Sequence, residues 1–171
     1  GKHLNTSVCC KLFRGDIAKQ FRFTPVRAYE DDEYIFKTVS VAKSIICIDA
    51  PLYNYLNRAN STMTSAFNIN KVALVTIQKK ICELLKVRYP KRFYAMQKAL
   101  CSKQFYILNC LLQSNIPSAK EEVKKIEKSL ILSYNEYMKN PLMGKNRLML
   151  LFFRYLPRQV WSILLKEFFR V

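Results

Sequence analysis

The 171-residue chain predicts an α+β protein, mainly helical, with one small sheet. Glycine and proline are scarce, at three and six residues, which favours helices over a strand-rich barrel. From residue 69 onward apolar residues recur every three or four positions, the period of an amphipathic helix. Ahead of residue 57 two short runs have strand character, a β-branched stretch over 45–49 and an alternating one over 52–56. Half of the residues are apolar, so a chain of this length can bury a real core.

In chain order, residues 7–13, Ser7-Val8-Cys9-Cys10-Lys11-Leu12-Phe13, read as a short buried strand. Arg14-Gly15-Asp16 reads as a turn, with Asp16 capping a short helix over 17–21. A loop through Phe23-Thr24-Pro25 leads to the acidic run Glu30-Asp31-Asp32-Glu33. A helix over 30–44 starts there and carries Tyr34, Ile35, Val39, Val41 and Ala42 on its apolar side. The strands 45–49 and 52–56, split by Ala50-Pro51, complete the sheet with 7–13, and 57–65 is a polar, flexible loop.

The rest reads as helices. Leu74, Ile77, Ile81, Leu84 and Leu85 form the first stripe, which Pro90 ends. A second helix covers 91–113. A third starts at a capping box, Ser118 with Glu121, and carries Val123, Ile126, Leu130, Tyr134 and Tyr137 until Asn140-Pro141 stops it. Two last helices, 147–156 and 158–170, flank Pro157.

Charge divides the chain into segments with different tasks. Residues 1–66 hold nine Lys/Arg against six Asp/Glu, while residues 67–171 hold twenty against six. A surface that basic faces nucleic acid, phosphorylated ligands or anionic lipid. Lys145, Arg147, Arg154, Arg158, Lys166 and Arg170 alternate with Phe, Leu and Trp161 against the single acid Glu167, a pattern that suits a helix lying in a membrane interface. The same helices could instead bury their apolar sides against the helices of 69–139, and an uncovered apolar face would favour a homodimer.

Zinc chemistry is disfavoured, because the six cysteines form no C-x-x-C pair and the only histidine is His3. Most of the cysteines lie in apolar stretches, and they read as reduced, in a cytoplasmic compartment. No leader peptide and no bilayer-length apolar run is apparent, and the missing start methionine points to a fragment of a longer protein.

The acidic run gathers four of the twelve carboxylates at consecutive positions of a chain with net charge +17. An acidic first helical turn is ordinary helix design, since it complements the macrodipole. Its neighbours give it more meaning. Lys11-Leu12-Phe13-Arg14, Arg22-Phe23, Tyr29-Glu30-Asp31, and Tyr53-Asn54-Tyr55 followed by Arg58-Ala59-Asn60-Ser61 occur in one order. This ordered set resembles the second half of the catalytic domain of bacterial family 2 glycosyltransferases, inverting enzymes of the GT-A fold. The resemblance covers roughly the first 65 residues, with 67–171 as a basic helical C-terminal extension.

The resemblance implies roles. Asp31 matches the general base that takes the acceptor hydroxyl's proton, opposite the departing nucleoside diphosphate. Glu30, Asp32 and Glu33 crowd it with like charge, which favours proton uptake. Glu30 and Asp32 are implied to bind or position the acceptor, and Asp32 is the alternative base. Arg58 is implied to screen the diphosphate through its fork of donors, with Ser61 beside it. The donor would be a nucleotide sugar and the acceptor a saccharide or a lipid-linked hydroxyl, in polysaccharide or glycolipid synthesis at the inner face of the cytoplasmic membrane.

The chain departs from the family in lacking the N-terminal donor-binding half and its Asp-x-Asp motif. A divalent metal, Mn or Mg, is thus expected only for a full-length enzyme, and the segment by itself should be inactive. From the residues alone, Lys11–Phe13 and the Tyr53/Tyr55 alternation also suit ordinary half-buried strands. A basic helical module that binds anionic membrane or nucleic acid without catalysis is the competing function.

Overall fold

The computed structural model describes residues 6–26, 28–54, 56 and 66–169. His3, Tyr55, Arg58, Ser61, the 57–65 loop and Arg170 lie outside the described residues. The chain divides into two compact units, Gly1–Ala66 and Phe67–Val171.

Among its described residues the first unit contains two helices, α1 (Gly15–Ala18) and α2 (Glu30–Val41). The expected sheet is absent: no strand occurs among the described residues, and the fold is helical rather than α+β. Residues 7–13 contain a turn closed by the Lys11 N–H on the Val8 carbonyl at 3.2 Å, and Leu12 is fully exposed. Residues 45–49 and 52–54 form neither helix nor strand, leaving Ile46 85% and Leu52 77% exposed. The linker explains much of this. A two-residue hairpin needs positive φ at its first position, where glycine or asparagine is preferred, and Ala50-Pro51 supplies neither. The two runs therefore form no ladder; the Leu52 N–H instead closes a tight turn on the Ala50 carbonyl at 2.9 Å.

Asp16 is also not a cap. It lies inside α1, where its carboxylate takes a two-pronged contact from the Arg14 guanidinium at 3.1 and 2.9 Å. That exposed guanidinium holds the Asp16 carboxyl below its usual range.

The second unit begins with a 3₁₀ turn at Ile69–Val72 and continues as α3 (Ala73–Arg88), α4 (Pro90–Gln113), α5 (Ala119–Lys139), α6 (Lys145–Tyr155) and α7 (Arg158–Phe168). Pro90 occupies the first turn of α4, where its missing N–H costs nothing. The central helix α4 packs against α3, α5, α6 and α7. Its buried residues Leu100, Cys101, Phe105, Leu108 and Leu111 follow the three-four spacing. They meet Ile77 and Ile81 of α3, Ile126 and Leu130 of α5, Leu150 of α6 and Leu165 of α7 in one core, all nearly inaccessible. Phe153 links Phe105 to Trp161 edge-on, at 6.2 and 5.2 Å between ring centres.

The Ser118 capping box does not form. Ser118 has helical dihedrals and makes no side-chain cap, and Glu121 pairs with Lys125 instead. Between α5 and α6 the chain reverses at Gly144, whose φ of 53° disfavours any side chain.

Buried amides tie α4 to its neighbours. The Tyr137 hydroxyl donates to Gln104 Oε1 at 2.6 Å, and Gln104 Nε2 donates to Ser129 Oγ at 2.9 Å. Burial pushes the Tyr137 hydroxyl up, so it stays protonated as this donor. Asn140, fully buried at the end of α5, donates to the Tyr94 carbonyl and to Gln97 Oε1, both at 2.8 Å, and accepts from the Leu142 N–H. Asn140→Ala strands three polar groups at once. It should cost about 1–3 kcal/mol, measured as a lower midpoint in chemical denaturation of the chain, and an unchanged midpoint would contradict the arrangement.

Candidate functional site

The site is built from α2 outward. Helix α2 starts after Tyr29, which has the left-handed φ of 64° and provides no side-chain cap. A left-handed non-glycine residue is costly, by roughly 1–2 kcal/mol, and such strain gathers at functional positions. Glu30, Asp31, Asp32 and Glu33 fill the first turn that follows, where negative charge complements uncapped N–H groups.

The four carboxylates differ in environment. Glu33 is buried, accepts from the Thr24 hydroxyl at 2.5 Å and pairs with Lys37 one turn on at 2.5 Å. It is a structural anchor, and the Glu33–Lys37 spacing of four is the signal that marks it. Asp31 is half-buried, and its Oδ2 accepts the Val8 N–H at 3.1 Å. One such bond fixes the carboxylate while leaving most of its roughly four acceptor positions open. Glu30 and Asp32 are half-buried beside it.

An aromatic cluster holds this turn in place. Tyr34, 7% exposed, stacks on Phe23 with ring centres 4.3 Å apart and meets Phe13 edge-on at 5.7 Å. Its hydroxyl donates to the Ala18 carbonyl at 3.2 Å. The structure thereby brings together three of the sequence signals: the Lys11–Arg14 segment through Phe13, the Arg22-Phe23 pair through Phe23, and the Glu30-Asp31 pair through the helix that carries Tyr34. Of the fourth signal, Arg58 and Ser61 are outside the described residues, and Tyr53 is half exposed. Val8, which anchors Asp31 from 23 positions away, carried no sequence signal.

The described residues do not fit a divalent-metal site, since no three His, Cys, Asp or Glu gather in ligating positions. Burial pushes the Cys82 and Cys101 thiols up to about 12, which rules them out as nucleophiles at neutral pH. No helix among the described residues is long and apolar enough to cross a membrane. No family model, curated protein or solved structure matches the chain.

Proposed function

We propose that residues 1–66 are the acceptor side of an inverting glycosyltransferase, with Asp31 as its base. The observation that carries this reading is the meeting of Phe13 and Phe23 on Tyr34, in the helix whose first turn presents a half-buried, Val8-anchored Asp31. The acceptor O–H gives its proton to Asp31 as the oxygen forms a bond to the anomeric carbon. The bond from that carbon to the diphosphate oxygen breaks, and the nucleoside diphosphate leaves with the electron pair. The remaining charge of the first turn, on Glu30 and Asp32, positions the acceptor by hydrogen bonding its other hydroxyls. Arg58 and Ser61 contribute to the diphosphate, and the donor half with its metal lies elsewhere in the full protein. The setting is polysaccharide or glycolipid synthesis at the inner face of the cytoplasmic membrane.

The test uses the protein encoded by the complete reading frame, mixed with a panel of nucleotide sugars and saccharide or lipid-linked acceptors. Acceptor-dependent release of nucleoside diphosphate is the expected result. A reading frame with no donor-binding half, or no release with any donor, would overturn the reading.

A further inference from the structure

The second unit carries a groove of about 760 Å³ where the end of α4, the α4–α5 turn and the start of α5 meet the first turn of α7. A smaller hollow of about 250 Å³ continues it along α7, sharing Leu112 and Arg158. The groove wall is apolar, from Leu111, Leu112 and Val123. Cations stand around it: Lys120 and Lys124 on α5, Arg158 and Lys166 on α7.

The charge there is poorly compensated. Glu121 and Glu122, which share the first turns of α5, both pair with Lys125, outside the groove lining. Glu127 pairs with Arg158 at 3.2 Å, and burial nonetheless raises the Glu127 carboxyl above its usual range. Lys120, Lys124 and Lys166 have no carboxylate within 4.0 Å among the described residues. Ser114 and Ser162 lie in the same lining, with their hydroxyls donating to the Leu111 and Gln159 carbonyls at 2.9 and 3.0 Å, so the lysines are left as the donors for a ligand. Helix α7 also turns Val160 and Ile163 to the outside, 44% and 60% exposed.

We propose that this groove binds the phosphate headgroup of an anionic membrane lipid. The inference is independent of the transferase reading, because it rests on the second unit alone. Uncompensated ammonium groups around an apolar wall match a phosphate that continues into hydrocarbon. The exposed Val160 and Ile163 on the same helix favour a lipid surface over a nucleic acid, whose backbone has no apolar surface to cover them.

The experiment is flotation of the full chain with vesicles of phosphatidylcholine alone or mixed with phosphatidylglycerol. The chain should float only with the anionic vesicles. The triple variant Lys120→Gln, Lys124→Gln, Lys166→Gln removes only exposed side chains and should retain the wild-type helical signal by circular dichroism. It should lose about a hundredfold in partition, from three lysines each contributing at an anionic surface. A control triple, Lys79→Gln, Lys103→Gln, Lys139→Gln, should lose less than about threefold, because those side chains lie outside the groove lining. Equal losses in the two triples would overturn the groove and leave a diffuse electrostatic attraction. Release by inorganic phosphate, but not by chloride at matched ionic strength, would support a site that reads phosphate, whereas protection of the chain by inorganic phosphate with no flotation on anionic vesicles would overturn the lipid source in favour of free phosphate. Retention on duplex DNA that the groove triple abolishes would overturn the membrane in favour of nucleic acid.

Discussion

Asp31→Asn in the complete protein is expected to lower transfer by about 100- to 10,000-fold, the usual worth of a positioned general base. The substitution is informative because asparagine keeps an oxygen in the place where Oδ2 accepts the Val8 N–H. The local backbone should therefore hold, and the thermal midpoint should stay near that of the parent. Only the proton-accepting charge is removed. Acceptor affinity should change far less than turnover, since the loss falls in the transition state. Asp32→Asn is the matched control, with an expected loss below about tenfold for a residue that only positions the acceptor. If the two results are exchanged, the base is Asp32. If neither variant loses turnover, the first turn of α2 has no catalytic part.

Tyr34→Ala should unfold the first unit and spare the second. The ring stacks on Phe23, meets Phe13 edge-on and sends its hydroxyl to the Ala18 carbonyl. Truncating a buried aromatic costs about 3–5 kcal/mol, and a unit of this size has little stability to spare. Hydrogen exchange resolved by segment provides the measurement. Amides of α2 should exchange as in an unfolded chain, while those of α4 and α5 stay protected. Tyr34→Phe keeps both ring contacts and should cost only about 1 kcal/mol, for the single lost hydrogen bond. Full protection of α2 in the alanine variant would show that the aromatic cluster does not hold this helix.

Sequence periodicity reaches some parts of this molecule and not others. The helices of the second unit were legible because their stripes are long and Pro90, Pro141 and Pro157 punctuate them. Their ends fall within a few residues of expectation, as at α4 (Pro90–Gln113) and α5 (Ala119–Lys139). The sheet was misread for a physical reason. The runs at 45–49 and 52–56 report local propensity, whereas a strand exists only when another backbone completes its hydrogen bonds. Ser118 and Glu121 show the same limit on a smaller scale: the right residues stand at the right spacing, yet Lys125 takes the glutamate.

The interior amides were invisible because polar residues read as solvent-facing and their partners are remote. Gln104 meets Tyr137 from 33 positions away, and Asn140 meets Gln97 from 43. The acidic turn was visible as a run, but which carboxylate is an anchor and which stays open was not. That distinction depends on Thr24 and Val8, nine and 23 positions from the side chains they contact.

The irregular stretch over 45–54 has a practical consequence for anyone handling the protein. Ile45, Ile46, Ile48 and Leu52 lie outside any helix or strand, more than half exposed, with only Asp49 for charge between them. Such a stretch is a template on which a second molecule can zip up edge to edge and seed fibrils as concentration rises. Storage at low concentration, or a lysine in place of Ile46, would keep the preparation clear.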